Sequence, residues 1–218
     1  HPYYLDLTGT YPHDPEKARA LLAGRVERHR IACELTWGFV YAAVKQRHIA
    51  DVADLEQEMR GRYGYDEVRA LDRDGVRGLV DSEAYIGGLY DAGSGHLHPL
   101  NYALGLAGAA VQAGVRIFED SRVTAIDTGT QPRATTAKGA VRARFLVLAG
   151  NAYLGALAPR LTTMIMPVAT YLIATESLGE ATAASLLPTN VAVSDMNFVL
   201  NYFRRSTDHR LLFGGGVS

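Results

Sequence analysis

The sequence predicts a mixed α+β fold, in which a doubly wound layer of helix and strand adjoins an antiparallel sheet with flanking helices. Three observations indicate it: an apolar helix at 100–113, an apolar run without alternation at 145–149, and strand patterns on both sides of this block. Hydrophobic residues make up 48% of the 218 residues, which is enough for a sizeable core. We expect three segments, with sheet-domain strands and helices in 1–85, the doubly wound part in 86–160, and more of the sheet in 161–218.

The first elements follow from capping and periodicity. Asp14-Pro15 is typical of a helix start, and apolar residues at helical spacing extend that helix towards His29. Alternation within 31–37 then predicts a strand with one buried face, and Gly38 is expected to turn it into a second strand at 39–44.

Two short helices and a strand follow. Asp51 is the expected cap of an amphipathic helix that ends near 61–64, and 72–81 is a second short helix or turn. A strand at 86–90 opens into the glycine-containing stretch 91–95. We favour a turn with close backbone approach there over a phosphate loop, because the third glycine and the Lys-Ser/Thr pair are missing.

The third quarter of the chain has the most distinctive order of parts. The helix at 100–113 is apolar on most of its surface, so we expect it to be buried, and a glycine turn leads from it into a strand at 115–118. Turn signals at 127–129 and 138–139 predict a small antiparallel meander. The run 145–149 is then expected to return as a strand buried on both faces.

Charge and cysteine usage narrow the class of protein. Twenty-two Lys and Arg balance 23 Asp and Glu, for a net charge of −1, so nothing favours a nucleic-acid or anionic-membrane partner. No apolar run reaches the length of a membrane span. The single cysteine, Cys33, lies in an apolar run where burial is expected, and its being alone fits a cytoplasmic protein.

An ordered series of motifs carries a resemblance to a known family. The series comprises Gly87–Tyr90, Gly95–Pro99, Gly114-Val115, Arg122–Ile126, Phe145–Tyr153, Met166–Val168, Asn201–Arg204 and Leu211–Gly215. In this order the motifs resemble the FAD-dependent D-amino-acid oxidase superfamily, and within it the branch of gamma-glutamylputrescine oxidase and sarcosine and glycine oxidases. The resemblance covers most of the chain.

The resemblance implies a partial FAD-binding, Rossmann-like layer and a substrate-domain sheet. In the family, the position that matches Val123 holds the adenine of FAD through backbone groups, and the strand end that matches Ala149, Gly150 and Asn151 lies near the cofactor. From the residues alone Val123 would be an ordinary strand valine. The substrate-domain sheet is expected from segments like 31–44, 167–175, 198–204 and 211–214.

The sequence departs from the family at the glycine fingerprint. The GxGxxG turn that holds the FAD pyrophosphate at a helix N-terminus is missing from the 218 residues. We therefore expect an internal segment of a longer protein, with weak or no FAD binding by the segment alone.

The activity that the resemblance implies is oxidation of the C–N bond of a small-molecule amine or amino acid to an imine, with release of hydrogen peroxide. Gamma-glutamylputrescine is the expected substrate, which implies a role in putrescine catabolism. Tyr202, Arg204 and His96 are the expected substrate-binding residues: Tyr202 and Arg204 share one face of a strand, and Arg204 is suited to a substrate carboxylate. A solvated Arg204 stays equally open. No catalytic residue is assigned.

For two other pairs of side chains the sequence favours a structural role over a direct role in binding. His96 and His98 lie two residues apart, but without a carboxylate at suitable spacing a pocket or structural role is favoured over a metal site. Trp37 and Tyr41 occupy alternate strand positions and are expected in the core.

Two alternative functions stay open at this point. One is a flavin dehydrogenase that passes its electrons to a quinone, and the other is a noncatalytic α/β module that binds a partner through open sheet edges. A nicotinamide dehydrogenase is disfavoured, because the polar hinge at 121–123 and the meander fit the flavin family better.

Overall fold

The computed structural model describes residues 15–217, which form two compact units. One unit contains 1–109 and 170–218, and the other contains 110–169. The expected cap Asp14 lies outside the described residues. The division into compact units leaves the functional roles of 1–85, 86–160 and 161–218 as predictions.

The elements confirm the α+β fold class. The described helices are α1 Pro15–Arg28, α2 Gln46–Tyr63, α3 Arg73–Arg77, α4 Pro99–Gln112, α5 Pro159–Thr162 and α6 Glu180–Leu186. The described strands are β1 Thr36–Ala43, β2 Val68–Leu71, β3 Gly87–His96, β4 Val123–Asp127, β5 Arg133–Thr136, β6 Gly139–Arg142, β7 Thr170–Ala174, β8 Ala192–Asp195, β9 Tyr202–Arg205 and β10 Leu211–Val217. No described helix has the length and apolar character needed to cross a bilayer.

A seven-stranded sheet is the centre of the first unit, in the order β2-β3-β1-β8-β9-β10-β7. Neighbouring strands are antiparallel except for the parallel pair β1 and β8. The four segments expected to build the substrate-domain sheet each contribute a strand to it, as β1, β7, β9 and β10. Strands β2 and β8 and helix α6 were not predicted.

The two faces of this sheet differ in character. Val40, Val193 and Phe203 are aligned across β1, β8 and β9 and pack into the larger apolar core. Since side chains alternate along a strand, the next row, which contains Tyr41 and Tyr202, lies on the opposite face. This second face carries a smaller core beneath α2 and the polar residues of the candidate site.

The predicted turn at Gly38 is wrong, because β1 is one strand. It pairs with β3 on both sides of Gly38, with a register shift between Trp37 and Phe39. Gly38 has a φ of 110°, and a Cβ there would lie 2.8 Å from Val191 Cγ1. The glycine therefore accommodates a bulge under close packing, and the alternation at 31–35 does not produce a strand.

The predicted turn at 91–95 is also wrong, because β3 continues through it. The close backbone approach is confirmed at both ends of the strand: a Cβ on Gly88 would lie 2.5 Å from Tyr41 O, and one on Gly95 would overlap Thr36 O. These glycines let β1 and β3 pair where a side chain would collide.

The helices of the first unit follow the predictions in part. Helices α1 and α3 are confirmed, and Asp72 caps α3 by accepting a hydrogen bond from Gly75 N at 2.8 Å. Helix α2 begins before the predicted cap Asp51, because buried His48 accepts hydrogen bonds from Val44 N and Lys45 N through Nδ1. It ends at Gly64, which has a φ of 63°.

Helix α4 has its predicted bounds to within one residue but not its predicted burial. None of its residues is buried, and Leu104 is 62% exposed. Its first turns contact the loop before β1, where Asn101 Nδ2 donates to Ala32 O and Gly105 approaches Ile31. Apolar composition alone therefore did not place this helix in a covered layer. Cys33, in the same loop, is fully buried as predicted.

The second unit confirms the meander and corrects the strands around it. Strands β4, β5 and β6 form a three-stranded antiparallel sheet, with turns where the sequence predicts them. The predicted strands at 115–118 and 145–149 are not formed, and Phe145 and Val147 are 81% and 80% exposed. A strand needs a neighbour for its backbone groups, and no described strand pairs with either segment.

Candidate functional site

A cavity of about 590 Å³ lies on the second face of the large sheet. Residues of α1, α2, β1 and β3 line it, and its walls contain four Trp and Tyr rings together with aliphatic side chains. The side chains that define it are Arg19, Trp37, Tyr41, Tyr63, Tyr65 and Asp91. A pocket of this size, mostly apolar with a few polar groups, is the usual form of a small-molecule site.

Asp91 is the buried carboxylate of the cavity, at 4% exposure. Its Oδ1 accepts hydrogen bonds from Tyr65 Oη at 2.6 Å, Gly93 N at 2.9 Å and Ser94 N at 3.1 Å, and its Oδ2 accepts one from Ser94 Oγ at 2.7 Å. Burial, and then the carboxylate, raise the pKa of Tyr65 well above its ordinary value. Within residues 15–217, no Lys, Arg or His nitrogen lies within 4.0 Å of this carboxylate.

Arg19 forms one wall of the cavity together with its partners. Its Nη2 donates to Glu67 Oε1 at 2.6 Å, and its Cζ lies 5.9 Å from the centroid of the Trp37 ring. The hydrogen bond from Arg19 lowers the pKa of Glu67. The positive charge of Arg19 is thus matched by a carboxylate of the same unit.

His96, one of the predicted substrate-binding residues, lines the same cavity. Its Nε2 lies 2.7 Å from Asn190 O, and since a carbonyl can only accept, Nε2 carries the proton. Burial lowers the pKa of His96, and the nearby Arg204 lowers it further, so the neutral ring is favoured. His96 therefore lines the cavity as an imidazole whose neutral form is favoured, and the charge of Arg204 acts on it.

Tyr202 and Arg204 lie on one face of β9, as predicted, and this is the face that carries the cavity. Arg204 is half-buried, and the only hydrogen bond of its side chain to the described residues is from Nη1 to Arg205 O at 3.3 Å. Desolvation lowers the pKa of its guanidinium. The negative charge of Glu34 acts on Arg204, but no described carboxylate lies within 4.0 Å of it, so the guanidinium keeps several donors for an anionic ligand.

His98 has a structural role. Its Nδ1 accepts a hydrogen bond from Asn101 N at 3.2 Å, and its carbonyl accepts one from Tyr102 N, so the residue caps α4. Among the residues that the structure describes, no group of three or more His, Cys, Asp or Glu side chains could hold a metal ion.

The residues predicted to contact FAD lie in the second unit. Val123 is half-buried at the start of β4, an edge strand whose outer backbone groups are open to a ligand. Ala149 and Asn151 are exposed, and Gly150 begins a 3-10 helix at Asn151–Tyr153. A Cβ on Gly150 would lie 2.7 Å from Leu154 Cδ2. The close packing of Leu154 therefore explains why a glycine occupies this position without reference to a cofactor.

These residues suit only part of the cofactor. The open edge of β4 fits backbone contacts to an adenine, but the printed sequence contains no GxGxxG turn to hold a pyrophosphate. The described residues therefore do not form a complete FAD site.

The expectation that Trp37 lies in the core is wrong, because the residue is 41% exposed and lines the cavity. The bulge at Gly38 interrupts the alternation from which its burial was inferred. Tyr41 is half-buried and both packs on the smaller core and lines the cavity. Asp91 was missed altogether. A carboxylate placed within an apolar strand pattern, next to Leu89 and Tyr90, was the available signal.

Comparison with known proteins defines the class to which this fold and site belong. Residues 15–218 match the DAO family, described as FAD dependent oxidoreductase. The chain therefore belongs to this family of FAD-dependent oxidoreductases.

Similarity to individual proteins agrees with this family assignment. The chain is 40% identical over 198 residues to gamma-glutamylputrescine oxidoreductase of Escherichia coli, covering 90% of this chain and 46% of that protein. It is 39% identical over 199 residues to the probable oxidoreductase OrdL of Haemophilus influenzae, covering 89% and 46%. The chain thus spans about half the length of the curated relatives it matches. The fold is shared with glycine oxidase from Geobacillus kaustophilus, at a TM-score of 0.72 and 23% identity over 94% of this chain and 54% of that one.

Proposed function

We propose that the full-length protein uses FAD to oxidise the C–N bond of an amine or amino acid to an imine, with hydrogen peroxide as the second product. The observation that carries the proposal is the 40% identity to a gamma-glutamylputrescine oxidoreductase over 90% of this chain. The cavity and the half-buried Arg204 lie on one face of one sheet, which supports a small-molecule substrate with both apolar and charged parts.

In this proposal Arg204 binds the carboxylate of the substrate. Its guanidinium is already partly desolvated, so part of the cost of removing water is met before the ligand arrives. Tyr202 lies two residues away on the same face and would pack along the substrate chain, with its ring against Gly214. His96, neutral and held by Asn190 O, would exclude water beside Arg204 without adding a charge.

The second unit would contribute to cofactor binding. Val123 would hold the adenine through the open edge of β4, and Ala149, Gly150 and Asn151 would lie beside the cofactor. FAD, if bound by the full-length protein, would supply the two-electron redox chemistry that amine oxidation needs. The chain's own residues orient the substrate.

The proposed substrate is gamma-glutamylputrescine, which combines an amine with an amino-acid head group. This choice would place the enzyme in putrescine catabolism. A cytoplasmic location belongs to the same proposal, and it is supported by the single, fully buried cysteine.

Peroxide release from the purified full-length protein tests the proposal. The substrates to compare are gamma-glutamylputrescine, sarcosine, glycine and proline, each at equal concentration with dioxygen present. We expect the highest kcat/KM with gamma-glutamylputrescine. Turnover of the small amino acids alone would refute that substrate. Oxidation that needs an added quinone and releases no peroxide would instead identify a dehydrogenase.

A further inference from the structure

We propose that the aromatic cavity on the second sheet face is a binding site for an aliphatic ammonium group, with Asp91 as its counter-charge and Trp37 and Tyr41 as its walls. The inference deepens the proposed function and rests on it for the idea that the ammonium belongs to the substrate.

The balance of charge in the cavity favours a cation. Arg19 and Asp91 are the lining residues with a permanent charge, and Arg19 is already matched by Glu67. Asp91 has only neutral donors, namely a phenol, a hydroxyl and two backbone N–H groups. One negative charge therefore stays without a cationic partner among the described residues, in a place where water screens it weakly.

The hydrogen bonds of Asp91 leave acceptor capacity on one of its two oxygens. Its Oδ1 accepts three hydrogen bonds, whereas Oδ2 accepts only one, from Ser94 Oγ. A carboxylate oxygen has two lone-pair sites, so Oδ2 can accept an N–H from a bound ammonium. The charge-assisted bond would be stronger than those with the neutral donors.

The aromatic walls match a cation that carries an alkyl chain. Trp37 is 41% exposed and already attracts the guanidinium of Arg19, which shows that its face accepts a positive charge. Tyr41 and Tyr65 add further rings. An alkylammonium would place its methylene groups against these rings and its charge toward Asp91.

The distance to Arg204 fits a substrate with charges at both ends. Tyr41 pairs with Ser194, and Ser194 pairs with Tyr202, so Tyr41 and Tyr202 lie two strands apart in one row of the sheet. Two residues further along β9, Arg204 lies in the row of Ala192, Phe39 and Asp91, so Asp91 and Arg204 are three strand spacings apart, or about 14 Å. An aliphatic chain with an ammonium at one end and a carboxylate at the other could contact both the cavity and Arg204.

Calorimetric titration of the full-length protein with tert-butylammonium tests the site. This cation has no hydrogen on the carbon next to nitrogen, so it cannot be oxidised to an imine and its binding is measured without turnover. The uncharged control compound is tert-butanol, which has nearly the same shape as tert-butylammonium. We expect tert-butylammonium to bind and tert-butanol to bind at least about tenfold more weakly. Equal binding of the two compounds would overturn the proposal.

Variants locate the bound cation. Asp91→Asn should weaken tert-butylammonium binding about tenfold or more, while Asp66→Asn, which removes the same charge from an exposed position, should leave it unchanged. Trp37→Leu changes a partly exposed side chain, and should weaken binding about two- to fivefold even if Asp91→Asn does not fold. Undiminished binding by folded Asp91→Asn, or by Trp37→Leu, would contradict the site.

The titration also separates this inference from the proposed function. If cation binding depends on Asp91 but the protein oxidises no amine, the ammonium site is supported and the proposed oxidase function is contradicted. If the protein releases peroxide from an amine but no cation binds in the cavity, the oxidase function is supported and the ammonium site is contradicted.

Discussion

Similar apolar sequence patterns form a buried strand in one unit of the chain and an exposed segment in the other. In the first unit, 39–43 lies between β3 and β8, and its inward side chains are fully buried. In the second unit, the apolar run 145–149 has no strand beside it among the described residues and is largely exposed. A run of apolar residues therefore indicates a capacity to form a strand, and a neighbouring strand decides whether one forms.

Hydrogen exchange should show the largest difference between the two runs. Amides of 39–43 are hydrogen-bonded to two neighbouring strands, so we expect them to exchange at least about a thousandfold more slowly than those of 145–149. Exchange read by mass spectrometry on the 218-residue chain measures this. Equal protection of both runs would show that 145–149 has acquired a strand partner.

Truncation of an apolar side chain should give the next largest difference between the two units, in the free energy of unfolding. Leu89 is fully buried in β3, so Leu89→Ala should lower the free energy of unfolding by about 2–5 kcal/mol. Leu161→Ala makes the same change at a half-exposed position of the second unit, and should cost clearly less. Denaturant unfolding of both variants checks the order, and a larger loss for Leu161→Ala would reverse the comparison.

Replacement of Arg204 tests whether the polar face of the first unit binds substrate. Arg204→Gln should lower kcat/KM for a carboxylate-bearing amine about 10- to 100-fold, because charge-assisted hydrogen bonds are lost. The same variant should leave simple alkylamines unaffected. Arg205→Gln, the next residue of β9 and on the other face, is the matched control. Equal losses for both arginines would indicate damage to the strand.

The pH dependence of stability should show a smaller effect at Asp195. This buried carboxylate accepts four hydrogen bonds from Asn197 and Asn201. Burial by itself raises the pKa of Asp195, but these bonds outweigh it and the pKa is lowered. Its stabilisation is therefore complete above its ordinary pKa of about 4 and is lost as pH falls through the lowered value.

Asp195→Asn should accordingly cost about 1–3 kcal/mol of unfolding free energy near pH 7. The difference from the unmodified chain should shrink below about pH 4. Urea unfolding at several pH values measures it. A difference that grows as the solution becomes more acidic would contradict the assigned role.

The sequence predicted elements whose signals are local. The short helix or turn predicted at 72–81 contains α3, and the turns at 127–129 and 138–139 bound the strands of the meander, because each depends on residues close in the chain. Features that depend on distant partners were missed or misplaced. Gly38 forms a bulge instead of a turn because β3 continues alongside it.

The candidate site was predictable only in part. Tyr202 and Arg204 share a face because strand alternation is local. The effect of the Arg204 charge on His96 depends on tertiary packing between strands that are distant in the chain, so no local pattern predicts it. The ring of Trp37 and the carboxylate of Asp91 meet at one cavity only after α1 and α2 have packed on the sheet. No spacing along the chain encodes that meeting.

Anaerobic reduction of the bound flavin tests the central claim most directly. The full-length protein would be mixed without dioxygen with gamma-glutamylputrescine, and the visible absorbance of oxidised flavin would be followed. We predict rapid bleaching, with peroxide formed when air is admitted. Flavin that stays oxidised with gamma-glutamylputrescine and with every other amine or amino acid supplied would contradict amine oxidation by this protein.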